Sequence, residues 1–138
     1  MIDEGKPIFV QIAEQIEDDI IDGVYPAETQ VPSTNEFAAF HRINPATAGK
    51  GMGLLVDEGI LYKKRGIGMF VTEGARERLV AKRRDAFPNE YLRPLLTEAA
   101  KLGIDSDQLT RMIQTAAQHD AAAPTPTAEP SSTKGVSA

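Results

Sequence analysis

Isoleucine recurs at every fourth position near the start of the chain, at Ile8, Ile12, Ile16 and Ile20, with Phe9 and Ala13 beside this row. Four-residue spacing stacks side chains along one face of an α-helix, here over residues 7–22. Glu14, Glu17, Asp18 and Asp22 fall mostly on the other face, and Gly23 is a natural C-terminal stop. The helical pattern resumes at VPSTNEFAAFHR. Ser33 and Glu36 have capping-box spacing, so the serine oxygen satisfies one orphan backbone amide and the glutamate another. Phe37, Ala38 and Phe40 are expected to form the buried side of this second helix. HRIN interrupts it, and Asn44 then supplies a good N-cap with Pro45 at the first helical position, where its missing N–H costs nothing.

The third helix should run to about Glu58 and end at Gly59. It holds Gly49, Gly51 and Gly53, each costing roughly 1 kcal/mol relative to alanine in a helix interior. Ala48, Gly51, Met52 and Leu55 share a stripe with Ile43 and Ile60, which should be core. Ala46, Gly49, Lys50 and Gly53 make a second stripe that is nearly flat and carries one positive charge. A flat face can sit deep in a major groove with its N-terminal amides near phosphate. Gly51, on the core side, is expected to allow close packing against the second helix.

ILYKKRGIGMFVTEG follows, with β-prone runs at Ile60–Tyr62 and Met69–Thr72 joined by a basic glycine turn, and reads as a hairpin. From Ala75 the composition is helical again. YLRPLLTEAAKLG places Tyr91, Leu92, Leu95, Leu96, Ala99 and Leu102 at helical spacing, with Pro88 and Pro94 starting or kinking helical pieces. Asp105 or Ser106 can cap a last helix holding Leu109, Met112, Ile113 and Ala116. From about Ala121 the chain is rich in proline and serine, with little to bury, and is expected to be disordered. The fold class is therefore mainly α with a small β-hairpin wing: a winged helix-turn-helix over residues 1–74, a two-helix dimerisation element over 75–120, and a tail over 121–138.

Composition narrows the function. The 138 residues contain no cysteine and only two histidines, His41 and His119, which excludes thiolate metal sites and argues against a histidine cluster. Neither a metal nor a cofactor is expected. No apolar run is long enough for a membrane span and no signal-peptide pattern opens the chain, so a cytoplasmic location is expected. The net charge of −5 conceals an asymmetry. Up to Glu36 the chain carries Lys6 alone against nine acids, whereas Arg42 to Arg84 has ten basic residues against four acidic, an excess of six. A local basic face matters more to a polyanion than the overall balance does.

In order and spacing, PIFVQIAEQIEDDIIDGVY, VPSTNEFAAF, INPATAGKGMGLLVDEGIL and RGIGMFV resemble the GntR-type transcription regulators over roughly residues 7–72. The short C-terminal part is similar to the YtrA-type subfamily, whose members lack a large effector domain and dimerise through about two helices. The resemblance implies DNA contacts at the start of the second helix by Ser33, Thr34 and Asn35, the last standing where the family usually has an arginine. It implies contacts at the start of the third helix by Asn44, Pro45, Ala46, Thr47 and Lys50; at Pro45 and Gly49 the wider family often has groove-reading arginines, absent here. In the wing it implies Lys64, Arg65, Gly66 and Gly68.

With fewer arginines to pair with guanine, specificity would rest on Asn44, Thr47, Lys50, methyl contacts from Ala46 and DNA shape. Thr47 has a second reading as a structural residue bonded back to the Asn44 backbone. Lys50 has a second reading as an ordinary surface lysine. Arg76, Arg78, Lys82, Arg83 and Arg84 are open between phosphate contacts and a solvated helix face.

Tyr91, Leu92, Leu95, Leu96, Ala99, Leu102, Leu109, Met112 and Ile113 are expected to form a dimer interface, since two short helices make a poor core alone. The implied function is a homodimeric, sequence-specific DNA-binding regulator, a repressor on an inverted-repeat operator of double-stranded DNA, controlling a transporter operon and its own gene. A small-molecule effector is compatible with this, but no polar constellation indicates one. A protein-interaction module is the alternative. An enzyme is not expected, because the GIG of Gly66–Gly68 lies in a hairpin, where a nucleotide fingerprint would not work.

Overall fold

The computed structural model describes residues 5–122; the tail reading for 123–138 lies outside them. The elements are α1 (Ile8–Ile21), α2 (Thr34–His41), α3 (Pro45–Asp57), β1 (Leu61–Lys64), β2 (Gly68–Val71), α4 (Ala75–Phe87), a π-helical segment (Pro88–Leu92), α5 (Arg93–Lys101) and α6 (Ser106–Ala122). The chain divides into two compact units that meet between Arg84 and Asp85.

In the first unit, α1, α2 and α3 enclose a core that the hairpin and the first half of α4 complete. Ile16, Ile20, Met52, Leu55, Leu61, Val71 and Leu79 are fully buried there. Each such side chain contributes about 1.5–3 kcal/mol by leaving water. The expected α3 stripe of Ala48, Gly51, Met52 and Leu55 is the buried one, with Ile60 inside the core and Ile43 half-buried against it.

Gly51 does not face α2. A Cβ at that position would lie 2.7 Å from the Phe9 carbonyl oxygen and 3.0 Å from the Ile12 side chain. The glycine is what lets α3 lie directly on the backbone of α1. Gly53 is the opposite case, since a Cβ there would meet nothing within 4 Å.

Phe40 also departs from expectation: it is 83% exposed, while Phe37 and Ala38 are buried. At 3.6 residues per turn Phe40 points about 160° away from Ala38. The left-handed Arg42 (φ 58°) then closes the helix, and Phe40 packs edge-on against His41 instead.

The strands pair antiparallel in the register Leu61↔Val71 to Lys64↔Gly68, so the turn is reduced to Arg65, Gly66 and Ile67. Lys63 and Lys64 therefore belong to β1 and not to the turn. A third stretch joins the hairpin from before α2. Val31 N–H donates to the Met69 carbonyl, and Glu28 N–H donates to that of Val71, whose own N–H donates to Thr29.

In the second unit, helix continues from α4 through the π-helical segment into α5. Pro88 heads the wide turn and Pro94 sits at the start of α5, so neither breaks the helix. Gly103 ends it with φ +70°. Asp105 accepts from the Gln108 amide and so caps α6, which reaches two residues into the expected tail. Ala99 and Leu109 are buried, while Tyr91, Leu92, Leu95, Leu96, Leu102, Met112 and Ile113 are exposed. No helix among the described residues is long and apolar enough to cross a membrane.

Candidate nucleic-acid interface

The first turn of α2 is held by a complete capping box. Ser33 Oγ accepts from the Glu36 amide at 3.0 Å, and the Ser33 amide donates to Glu36 Oε1 at 2.9 Å. The Ser33 hydroxyl proton is not used by this cap and stays available to an acceptor outside the protein. Thr34 is half-buried. Its hydroxyl donates to Met52 Sδ at 3.5 Å, and its methyl would meet a Cβ at Gly49 at 3.5 Å. Thr34 is thus first a packing residue that seats α2 on α3. Asn35 is exposed.

At the start of α3, Asn44 Oδ1 accepts from the Ala46 amide at 2.7 Å. This fixes the carboxamide at the helix tip and leaves its NH₂ as a donor. Pro45 and Ala46 are exposed and Thr47 is half-buried. Lys50 leaves the flat stripe to place its ammonium over the Phe9 ring, 4.1 Å from the centroid, where the ring face attracts it.

The wing is held by a residue that sequence patterns did not single out. Gln30 Nε2 donates to the Ile67 carbonyl at 3.0 Å, pinning the tip of the turn from the α1–α2 connection. Gly68 has φ +150°, and a Cβ there would come within 2.3 Å of that same amide nitrogen, so this position needs glycine. A lone glutamine in a connecting segment gives no local signal; only its 37-residue separation from Ile67, closed by the fold, makes it a brace. Tyr62 donates to Glu28 at 2.5 Å, and that hydrogen bond, with burial second, raises the phenol above its ordinary value. Lys64 lies over the Phe70 ring at 4.4 Å.

Ser33 and Thr34 meet Lys63, Lys64, Arg65, Gly66 and Gly68 around one open cleft of ≈ 560 Å³. The fold therefore joins two segments that sequence analysis named separately, the α2 tip and the basic wing. Asn44, Pro45, Ala46 and Thr47 do not line this cleft; they form the separate tip of α3.

The basic residues of α4 have another use. Arg76 Nε donates to the Ile21 carbonyl at 2.8 Å, and Arg78 donates to the Gly59 carbonyl at 2.6 Å, so both cap the C-terminal ends of core elements. Lys82 bonds Glu17 at 3.4 Å and Glu58 at 3.2 Å, while Arg83 bonds Glu17 at 3.4 Å and Asp18 at 2.6 Å. Glu17, expected on the solvent face of α1, is only 6% exposed. Burial pulls the Lys82 and Arg83 cations down, but their carboxylate partners outweigh it and both end above their ordinary values. Glu17 and Asp18 of α1 thus pair with Lys82 and Arg83 of α4, whereas Lys63, Lys64 and Arg65 of the wing form no ion pair among the described residues.

A short capped helix, a second helix seated on it and a braced basic hairpin define a winged helix-turn-helix. Residues 9–71 match the family described as bacterial regulatory proteins, gntR family. The repressor YtrA of Bacillus subtilis is 30% identical over 110 residues, spanning 80% of this chain and 84% of YtrA. The regulator YhcF of the same organism is 28% identical over 80% of this chain and 90% of its own. Among solved structures, a GntR-family regulator from Bacteroides thetaiotaomicron is similar with a TM-score of 0.67 and 32% identity, over 83% of this chain and 99% of that one. The chain belongs to the GntR family, in its short YtrA-type form, and is a DNA-binding transcription regulator rather than an enzyme.

Proposed function

We propose that the protein is a cytoplasmic homodimeric repressor that occludes a promoter by binding an inverted-repeat operator in double-stranded DNA. The observation that carries this reading is the cleft shared by Ser33, Thr34 and the exposed wing, Lys63 to Arg65, whose charges enter no ion pair among the described residues. In this reading the Ser33 hydroxyl and the α2 amides take a phosphate, Arg65 grips the edge of the minor groove, and Gly66 and Gly68 let the turn approach closely. The tip of α3, from Asn44 to Thr47, enters the major groove. Asn44 offers its NH₂ donors, Ala46 a methyl contact, and Asn35 a neutral contact to the backbone.

Dimerisation through Tyr91, Leu92, Leu95, Leu96, Leu102, Met112 and Ile113 presents two such heads to half-sites about one helical turn apart. Ala99 and Leu109, buried already within the chain, support that face from beneath. The likeness to YtrA, named a transcriptional repressor, supports repression over activation. The natural targets to test are the DNA upstream of its own gene and of a transporter operon. No cofactor is expected, and a small-molecule effector is compatible with this activity although no polar constellation indicates one.

Titration of labelled upstream DNA by fluorescence anisotropy at two salt concentrations tests the proposal. Tight, salt-sensitive binding that scrambled DNA does not show, and that Arg65→Ala weakens, supports it. Equal binding to both DNAs overturns specific recognition, and undiminished binding of a protein partner by Arg65→Ala would favour an interaction module.

A further inference from the structure

The first unit has a second cleft, lined by none of the wing residues, between the C-terminal half of α1 and the length of α2. Its volume is ≈ 580 Å³, within the range of small-molecule sites, and Asp19, Tyr25, Pro32, Phe37, Phe40 and His41 are among the residues around it. Four aromatic rings line it, Tyr25, Phe37, Phe40 and His41; Phe37 and His41 lie 4.2 Å apart between centroids, and Phe40 meets His41 edge-on at 5.0 Å. Phe40 is the most exposed large apolar side chain among the described residues. Nothing in the core or in the wing requires it to be aromatic.

The carboxylates of α1 divide into two groups. Glu14 pairs with Lys6, and Glu17 and Asp18 pair with Lys82 and Arg83. Asp19 and Asp22 have no ion-pair partner among the described residues, and Asp19 is the one on the cleft. Among the described residues its one side-chain hydrogen bond comes from the neutral amide of Gln15, at 3.3 Å. The backbone holds Asp19 in place, since its carbonyl accepts from the Val24 and Tyr25 amides. Burial raises its carboxyl above the ordinary value; Gln15 opposes this, Asp18 and Asp22 add to it, and His41 opposes it. A partly desolvated carboxylate beside aromatic faces lacks a cation, and aromatic walls favour one whose substituents are apolar.

We propose that this cleft is a binding site for an organic cation, an ammonium group carrying apolar substituents. Its ammonium faces Asp19 and its substituents pack on Phe40 and Phe37. The cation is held by Asp19, Phe37 and Phe40, although the cleft also reaches Pro32 and Glu36, the partner of Ser33 in the α2 cap.

The test is a titration of the full-length protein, free of DNA, with choline and with benzyltrimethylammonium, followed by proton–nitrogen correlation spectra. Saturable shifts centred on the amides of Asp19, Tyr25, Phe40 and His41 are expected with at least one of the cations. The uncharged carbon isostere of choline should bind at least about tenfold more weakly, and Asp19→Asn should weaken the cation by a similar factor. Phe40→Ala, which removes an exposed ring and leaves the core intact, should weaken it roughly threefold to tenfold. Absence of saturable shifts with both cations, equal binding of the isostere, or indifference to Asp19→Asn overturns the proposal. Because DNA is absent, failure here leaves the operator reading untouched.

Discussion

The two units handle apolar surface in opposite ways. The winged unit buries its large aliphatic residues in one continuous core and has spent most of the charge on α1 and α4 against itself. The C-terminal unit buries Ala99 and Leu109 and leaves eight larger apolar side chains exposed among the described residues, with Tyr91 at 64% and Leu102 at 63%. A face of that kind is costly in water and common where a second subunit covers it. The first unit covers its core within one chain; in the proposed homodimer a second copy covers the exposed face of the second.

The largest expected effect breaks that contrast directly. Leu96→Glu should leave the thermal unfolding of the winged unit nearly unchanged while abolishing the dimer in sedimentation experiments. Loss of the linked second head should weaken binding to an inverted repeat roughly 100-fold, with little effect on a single half-site. A variant that stays dimeric would remove α5 from the interface.

Within the finished unit, two glycines of the same helix should respond in opposite directions. Gly51→Ala forces a methyl onto the Phe9 carbonyl and Ile12, and should cost about 1–3 kcal/mol in urea unfolding by overpacking. Gly53→Ala meets open space and should stabilise by up to about 1 kcal/mol. Stabilisation by both would mean that α1 and α3 do not touch at Gly51.

The basic residues sharpen the comparison further. Arg65→Ala should weaken operator binding about tenfold and lower the salt slope by about one, leaving stability unchanged within about 0.5 kcal/mol. Arg78→Ala removes a cap on the Gly59 carbonyl, and should instead lower stability by about 1 kcal/mol and leave the salt slope alone. Reversed outcomes would exchange the roles of wing and α4.

The smallest effect is on pH dependence. Lys82 has a folded-state pKa above its ordinary 10.5, so its contribution is complete below that pH and is lost as pH rises through the folded value. Denaturation midpoints should fall more steeply above about pH 10.5 in the native protein than in Lys82→Met. Parallel curves would remove Glu17 and Glu58 as its partners.

Capping signals and the periodicity of apolar positions were sufficient to place α1, α2, α3 and the hairpin. Ser33 with Glu36, Asn44 with Pro45, and the isoleucines of α1 are local devices, settled within a turn or two of their own position. Phe40 was misplaced because composition marks it as core, while helix length and rotation decide which way it points. The groups proposed to face DNA are legible as residue types at family spacing.

The meeting of Ser33 and Thr34 with the wing, the Gln30 brace, and the loss of the α4 cations to Glu17, Asp18 and Glu58 were not legible. They depend on groups between about 20 and 70 residues apart in sequence, whose encounter no local pattern encodes. Sequence alone therefore determined the elements, their ends and the family, because those follow from short-range hydrogen bonding and spacing. Only the tertiary structure decided which glycine touches which backbone, and which positive charges remain for a partner, because packing and charge pairing are settled between distant segments.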